Sequence, residues 1–349
     1  MPLRVVQWAT GTVGSIALRA LLERPEFDLV GTYVYDPAKD GRDAGELIGL
    51  PPVGVRATTD VDEIIALGAD CVCHMPLPSF CFGEDPHRDT ADICRLLAAG
   101  TNVVTTTGFV RPRERWIRDR IDAACAAGGT SLYGTGVNPG FVADALPLAL
   151  SGMAQRVDHV YLRETSDFSG HPSRRMVVDL MGFTRPPQEY VAGAERYRQY
   201  QRIIFGESIR LVAEALGTEI DDIEEDDEYD VATEPYEVAI GEIPAGTVHA
   251  SRWTIAGLLR GMPVMSVELV HKADASRCTR WSDPGFALRV EGVPSISVSV
   301  DEFSHGLVGA AAHAVNAISA VCAAPAGLRS CLDLPLVTGR RGALFTGFG

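Results

Sequence analysis

The chain is short of positive charge. Against 46 Asp and Glu residues stand only 31 Lys and Arg in 349 positions, a formal net charge of −15. A surface of that sign repels phosphate backbones and anionic bilayers, so neither nucleic acid nor a membrane is expected as a partner. Long apolar runs are missing too. The most apolar helical stretch, near 307–323, carries His313 and Asn316, and no uninterrupted run reaches the roughly 18 residues of a bilayer span. The first strand-like residues come at once, without a charged and then apolar leader, so a cytoplasmic protein is expected. The eight cysteines follow no C-x-x-C or Cys/His spacing of the zinc type. Cys71 and Cys73 alternate within a strand, while Cys94, Cys125 and Cys322 fall in helical patterns. The expectation is buried thiols in a reducing compartment, and no metal.

What is present starts at the N-terminus. Val5, Val6 and Trp8 read as a buried strand, Gly11 and Gly14 as a tight turn, and 15–24 as an apolar-faced helix stopped by Pro25. Such a turn presents the backbone N–H groups of Gly11, Thr12 and Val13 to a pyrophosphate at the helix N-terminus. Ala9 stands where the first glycine of a G-x-G-x-x-G fingerprint would be. Strand patterns follow at 29–35, 70–75, 102–107 and 131–135, separated by helical patterns at 85–99 and 113–127 and by a short helix capped by Asp60. That alternation predicts an α/β fold with a parallel, doubly wound sheet: a Rossmann-type dinucleotide-binding domain over residues 1–145.

Asp36 ends the second strand, 22 positions after Gly14, where a carboxylate can accept both ribose hydroxyls of NAD. Lys39 and Arg42 follow closely and can grip the 2′-phosphate of NADP. Both cofactors stay open. Open α/β sheets bind ligands beyond the carboxyl ends of their strands, which places Met75, Pro76, Thr106, Thr107 and Asn138 around the nicotinamide.

After Pro147 the pattern changes. A half-exposed strand at 157–165 leads into two helical stretches near 174–183 and 187–216. The acidic run 219–230 reads as a solvated strand edge or loop, because the glycine and ligand register of a calcium loop are missing. Strand-like segments at 236–241, 247–257, 263–272, 284–290 and 294–300 come without helices between them. They predict an α+β domain over 146–303, with a mostly antiparallel sheet covered by the two helices, serving substrate binding and oligomerisation. The helix 304–323 and the tail are expected to pack back onto the first domain, and the protein to be a homodimer.

The glycine turn, the segment Tyr35-Asp-Pro-Ala-Lys-Asp-Gly-Arg-Asp-Ala-Gly-Glu46, the segment Gly134-Thr-Gly-Val-Asn-Pro-Gly-Phe-Val-Ala-Asp144 and the pair Ala314-Val-Asn-Ala-Ile318 and Ala323-Ala-Pro-Ala-Gly327 together resemble one family. It is the dihydrodipicolinate-reductase-like group that includes 2,4-diaminopentanoate dehydrogenase and the native amine dehydrogenases. The resemblance implies an NAD(P)-dependent oxidoreductase with a small-molecule substrate in the cleft between domains. The reaction it implies is hydride exchange between nicotinamide and a small carbonyl, imine or amine carbon. It also implies that Asn316 reaches the nicotinamide. Reduction of a cyclic imine or C=C bond, as in dihydrodipicolinate reductase, is an alternative, and dinucleotide sensing without turnover is another.

Two departures qualify the resemblance. The Lys-x-Asp-Ala-Pro-Ser-Gly-Thr block of true dihydrodipicolinate reductases is only echoed by His271-Lys-Ala-Asp-Ala-Ser276. The glutamate that in the amine dehydrogenases follows the fifth strand is absent, since 105–109 reads Thr-Thr-Thr-Gly-Phe. Hydride transfer to a C=N or C=O carbon needs charge stabilised, or a proton delivered, at the heteroatom. The candidates left for that work are Thr107 and, in the second domain, Glu164, Asp167, His171 and Asp179, with Phe168, Met181 and Phe183 as apolar lining.

Overall fold

The computed structural model describes residues 1–340 except 302 and 304, so the tail expected to pack back lies partly outside the described residues. Two compact units divide the chain: Met1–Phe141 with the chain from His305, and Val142–Ser304.

The first unit alternates strands and helices: β1 (Leu3–Trp8), α1 (Thr12–Leu22), β2 (Phe27–Tyr33), β3 (Ala57–Thr58), α2 (Val61–Ala66), β4 (Cys71–His74), α3 (Ser79–Phe82), α4 (Arg88–Ala98), β5 (Asn102–Thr105), α5 (Arg115–Gly128) and β6 (Ser131–Gly134). The second unit holds α6 (Leu146–Ser151), β7 (Arg156–Asp167), α7 (Pro187–Ala215), β8 (Asp222–Val231), β9 (Tyr236–Val238), β10 (Gly241–Ile243), β11 (Val248–Leu259), β12 (Met262–Lys272), β13 (Gly285–Val293) and β14 (Ile296–Val300). The chain then returns to the first unit with α8 (Gly306–Ala323) and β15 (Gly327–Arg329).

In the first unit seven strands run in the order β15-β6-β5-β4-β1-β2-β3, and every pairing is parallel. This is the Rossmann-type sheet that alternation predicts. All carboxyl ends therefore share one edge, and the order reverses between β1 and β4, where such sheets leave a crevice. Alternate residues feed opposite cores. Val5 packs with Leu18, Leu21, Val315 and Ile318 on the face of α1 and α8. Val6 and Trp8 pack with Ile93, Leu97, Ile121 and Cys125 on the face of α4 and α5.

By length and composition α8 passes for a bilayer span, with mean hydropathy 1.5 over 18 residues, contrary to the expectation from its interrupted run. In the fold it is a core helix. Ala311, Ala314, Val315, Ala317, Ile318 and Val321 are fully buried against the sheet and α1.

The second unit has a six-stranded sheet, β14-β13-β7-β12-β11-β8. It is mostly antiparallel, but β7 and β12 pair in parallel. Helix α7 lies so close over β11 that a side chain on Gly257 would meet Ile209 Cγ2 at 2.3 Å. The segment read as one strand at 236–241 is a small separate hairpin of β9 and β10. The stretch near 174–183 is helical only over Arg175–Leu180. The acidic run is the edge strand β8, whose carboxylates meet arginines: Arg198 reaches Asp227 at 2.6 Å, and Arg252 and Arg280 share Glu228.

Candidate functional site

The turn between β1 and α1 is built by close backbone approach. A Cβ on Gly14 would lie 2.1 Å from the carbonyl oxygen of Ala9, so only glycine lets helix and strand meet there. Ala9 itself has φ +72°, the left-handed conformation that a fingerprint glycine adopts without strain. Gln7 supports it from below, its Nε2 donating to the carbonyls of Trp8 at 3.2 Å and Ala9 at 3.0 Å. At the N-terminus of α1, by contrast, Gly11 faces open space. No side chain caps the helix, so its first N–H groups and positive dipole end point outward beside a position without bulk. This cradle fits a dinucleotide pyrophosphate.

The loop after β2 closes on the same turn. Lys39 Nζ donates to Thr10 Oγ1 at 3.0 Å and to the Thr10 carbonyl at 3.2 Å, which sets a cation beside the helix N-terminus. Asp36 is exposed and accepts from the Ala38 N–H at 2.9 Å. Arg42 is exposed as well. Gly11, Thr12, Val13, Asp36 and Lys39 thus share one corner of the unit.

A second group gathers at the carboxyl ends of β4 and β5. His74 Nδ1 shares a hydrogen bond with Thr105 Oγ1 at 3.0 Å, and Thr105 Oγ1 another with Thr107 Oγ1 at 2.8 Å. His74 is fully buried, and burial pulls its pKa down to about 4. The ring is therefore neutral at physiological pH, and its Nε2 has no hydrogen-bond partner among the described residues. Met75 is buried, while Pro76 and Thr106 are half-buried beside it. Over the next turn Gly108 has φ +101° and Phe109 φ +64°. The Gly108 carbonyl would lie 2.2 Å from a Cβ on Gly134. The segment 105–109 offers no carboxylate, and its backbone at Gly108 disfavours any residue with a side chain.

Asn138 is half-buried in the turn after β6. Asn316, expected to join it, is turned elsewhere. Its Oδ1 accepts from Arg24 Nη1 at 2.7 Å, and Arg24 follows the far end of α1, at the amino edge of the sheet. The α8 residue that reaches the carboxyl edge is His313, one turn earlier. It shares a 2.7 Å hydrogen bond with Thr135 Oγ1, and its ring lies 5.3 Å from that of Phe141. The family block Ala314–Ile318 contains Asn316 and begins one residue past His313.

In the second unit the end of β7 carries the remaining candidates. Ser166 donates to Glu164 Oε1 at 2.7 Å, and Asp167 Oδ1 accepts from the Ser169 N–H at 2.8 Å. His171 Nδ1 accepts from the Ser173 N–H at 3.2 Å, and its ring lies 5.3 Å from Phe168. Burial lowers the His171 pKa. Phe168 lies 5.2 Å from a second imidazole, His271, whose Nδ1 bonds the Tyr197 hydroxyl. Gln201 donates to that hydroxyl too. Burial lowers His271 to about 4 and pushes the Tyr197 phenol well up, so both are neutral. Sequence periodicity missed this pair, since a histidine inside a strand and a tyrosine inside a helix carry no spacing signal. Met181 and Phe183 are core residues, 2% and 0% exposed. Asp179 presents its backbone carbonyl to Arg185. Lys272, the lysine of the reductase echo, is buried with Nζ 2.9 Å from the Cys278 carbonyl. It is occupied in holding a loop.

Comparison with known proteins bears directly on this arrangement. Residues 141–345 match the 2,4-diaminopentanoate dehydrogenase C-terminal domain, and residues 5–125 match the dihydrodipicolinate reductase N-terminus. An amine dehydrogenase of Streptomyces virginiae is 33% identical over 350 residues, covering 95% of this chain and 96% of the relative. A 2,4-diaminopentanoate dehydrogenase of Acetoanaerobium sticklandii is 25% identical over 239 residues, 67% of each chain. The fold superposes on a solved amine dehydrogenase of Mycobacterium smegmatis with TM-score 0.80 at 22% identity, covering 97% of this chain and 98% of the other.

Proposed function

This chain belongs to the family of 2,4-diaminopentanoate dehydrogenase and the amine dehydrogenases, oxidoreductases that work with NAD or NADP, and from that premise we propose which groups do the work and on what. The substrate is a small amine, or the imine or carbonyl compound that corresponds to it. The dinucleotide supplies a hydride donor or acceptor at nicotinamide C4. The N–H groups of Gly11, Thr12 and Val13 bind the pyrophosphate, with Lys39 adding positive charge. Asp36 holds the adenosine ribose, and Arg42 meets a 2′-phosphate when NADP is bound. Met75, Pro76, Thr106 and Asn138 shape the nicotinamide pocket.

The observation that carries the reading of the chemistry is the hydrogen-bonded series Thr107–Thr105–His74 at the end of β5. It stands in a segment without a carboxylate. Thr107 can donate to a heteroatom that gains electron density, and neutral His74 orients the Thr105 and Thr107 hydroxyls behind it. Glu164, Asp167 and His171 are the acid–base candidates within the second unit. A homodimer in the cytoplasm completes the proposal, and buried cysteines outside any disulfide, Cys71, Cys73, Cys94 and Cys125 among them, suit a reducing compartment.

The test follows reduced dinucleotide by absorbance. Small primary amines should be oxidised, and a preformed imine or a ketone should be reduced without ammonia. Cyclohexanone should be turned over no faster with a high ammonium concentration than without it, because 105–109 holds no carboxylate to bind the ammonium-derived group. Robust ammonia-dependent turnover would overturn the reading and point to Glu164 or Asp167 as the replacement carboxylate. Bound dinucleotide with no turnover of any amine, imine or carbonyl compound would overturn the substrate class.

A further inference from the structure

We propose that Asp230, His249 and Cys278 form a binding site for one borderline divalent cation, zinc above all, that ties the loop 273–284 to strands β8 and β11. The three residues come from three separate stretches of the second unit. Asp230 lies near the end of the edge strand β8, His249 near the start of β11, and Cys278 in the loop between β12 and β13.

Their donor atoms converge. His249 Nε2 and Cys278 Sγ each lie 3.6 Å from Asp230 Oδ2, and the three donor atoms all fall within 4.8 Å of one another. A tetrahedral zinc with bonds of about 2.0–2.3 Å separates its ligands by roughly 3.3–3.8 Å. A nitrogen-to-oxygen distance of 3.6 Å suits that spacing and is too long for a hydrogen bond. His249 Nε2 accordingly has no hydrogen-bond partner among the described residues, although the residue is only 4% exposed. A buried imidazole nitrogen 3.6 Å from a carboxylate oxygen that already accepts from the Cys278 thiol, too far to be hydrogen-bonded to it, calls for an explanation. A cation among the three supplies one.

The surroundings are those of a metal site. Tyr236 OH shares a 2.9 Å hydrogen bond with His249 Nδ1, which orients the ring and leaves Nε2 to the cluster, as outer partners of ligating histidines do. Lys272 Nζ donates to the Cys278 carbonyl at 2.9 Å, and both residues are 1% exposed. The turn that carries the thiol is thus pinned by a hydrogen bond of its own. Charge balances as well. One thiolate, one carboxylate and one neutral imidazole total −2, matching a divalent ion, with a water molecule completing four-coordination. On binding, the S–H bond of Cys278 breaks, its proton leaves to solvent, and the sulfur pair forms the bond to the metal. Mixed sulfur, nitrogen and oxygen donors favour zinc over magnesium or calcium.

The test uses the full-length protein, stripped with a chelator and titrated with cobalt(II) as a visible substitute for zinc. One cobalt per chain should bind with a thiolate-to-cobalt charge-transfer band, and one equivalent of zinc should displace it. Cys278→Ser should abolish the band and weaken zinc binding at least about tenfold. His249→Gln should shift the visible bands and weaken binding similarly. Cys322→Ser, at a half-buried thiol of the other unit, should leave everything unchanged. Circular dichroism verifies that each variant is folded. Absence of a charge-transfer band in the wild-type protein overturns the proposal, independently of how the variants fold. So does a band that persists in folded Cys278→Ser.

Discussion

The carbonyl oxygen of Ala9 occupies the space that a side chain on Gly14 would need, 2.1 Å from its Cβ position. Holding that carbonyl there costs Ala9 a left-handed φ of +72°, which is worth roughly 1–2 kcal/mol for a residue with a Cβ. Glycine gives back some of this through its freer unfolded chain. Ala9→Gly should therefore raise unfolding stability modestly, by up to about 1 kcal/mol in denaturant melts. Gly14→Ala should lower stability clearly, because the contact is with backbone. A neutral Gly14→Ala would show that the turn relaxes more easily than its geometry indicates.

In the proposed site, the loop after β2 is the part that would distinguish NADP from NAD. Lys39 is tied to Thr10, whereas Arg42 is exposed. Replacing both with alanine should weaken NADP binding more than NAD binding, since only NADP carries the extra phosphate. Equal losses for both, measured by titration of protein fluorescence, would place Lys39 at the pyrophosphate and leave Arg42 a surface charge. If the wild-type protein prefers NAD, Asp36 is the determinant.

Stability should fall with acid in a defined window. Burial holds His74, His271 and His313 at about 4, against 6.5 for a free imidazole. Between those values the unfolded chain binds protons that the folded chain refuses, so stability is full above about 6.5 and drains as pH falls toward 4. Asp92, pushed up to about 6 by burial, works in the opposite direction. Unfolding near pH 5 should thus take up about two protons net from these four groups. Thermal melts from pH 8 to pH 5 should show a falling midpoint, with a shallower slope in His74→Gln. A midpoint that rises with acid would contradict this account.

Legibility in the sequence followed the range of the signal. Val5 and Val6 alternate, Gly11 and Gly14 turn, and Pro25 stops a helix, so local physics alone delivered β1, α1 and the parallel sheet. Long-range pairing was another matter. Nothing local to β7 or β12 reveals that they run parallel, because their partners are chosen by the whole sheet. Helix α8 was legible as a helix, but not which way Asn316 points along it. The pairing of His271 with Tyr197 joins residues 74 positions apart. Asp230, His249 and Cys278 are likewise dispersed over three elements, so no zinc-type spacing marks them. Their convergence exists only in the folded unit.

Binding of a dinucleotide on the N-terminus of α1 can be tested at one residue, Gly11. Gly11 faces open space, so Gly11→Val should fold normally while its branched side chain fills the place that the pyrophosphate needs. Affinity for NAD and NADP, read from protein fluorescence, should drop at least about tenfold, roughly 1.4 kcal/mol, with amine-dependent dinucleotide reduction falling alongside. Unchanged affinity in a folded Gly11→Val protein would contradict the account.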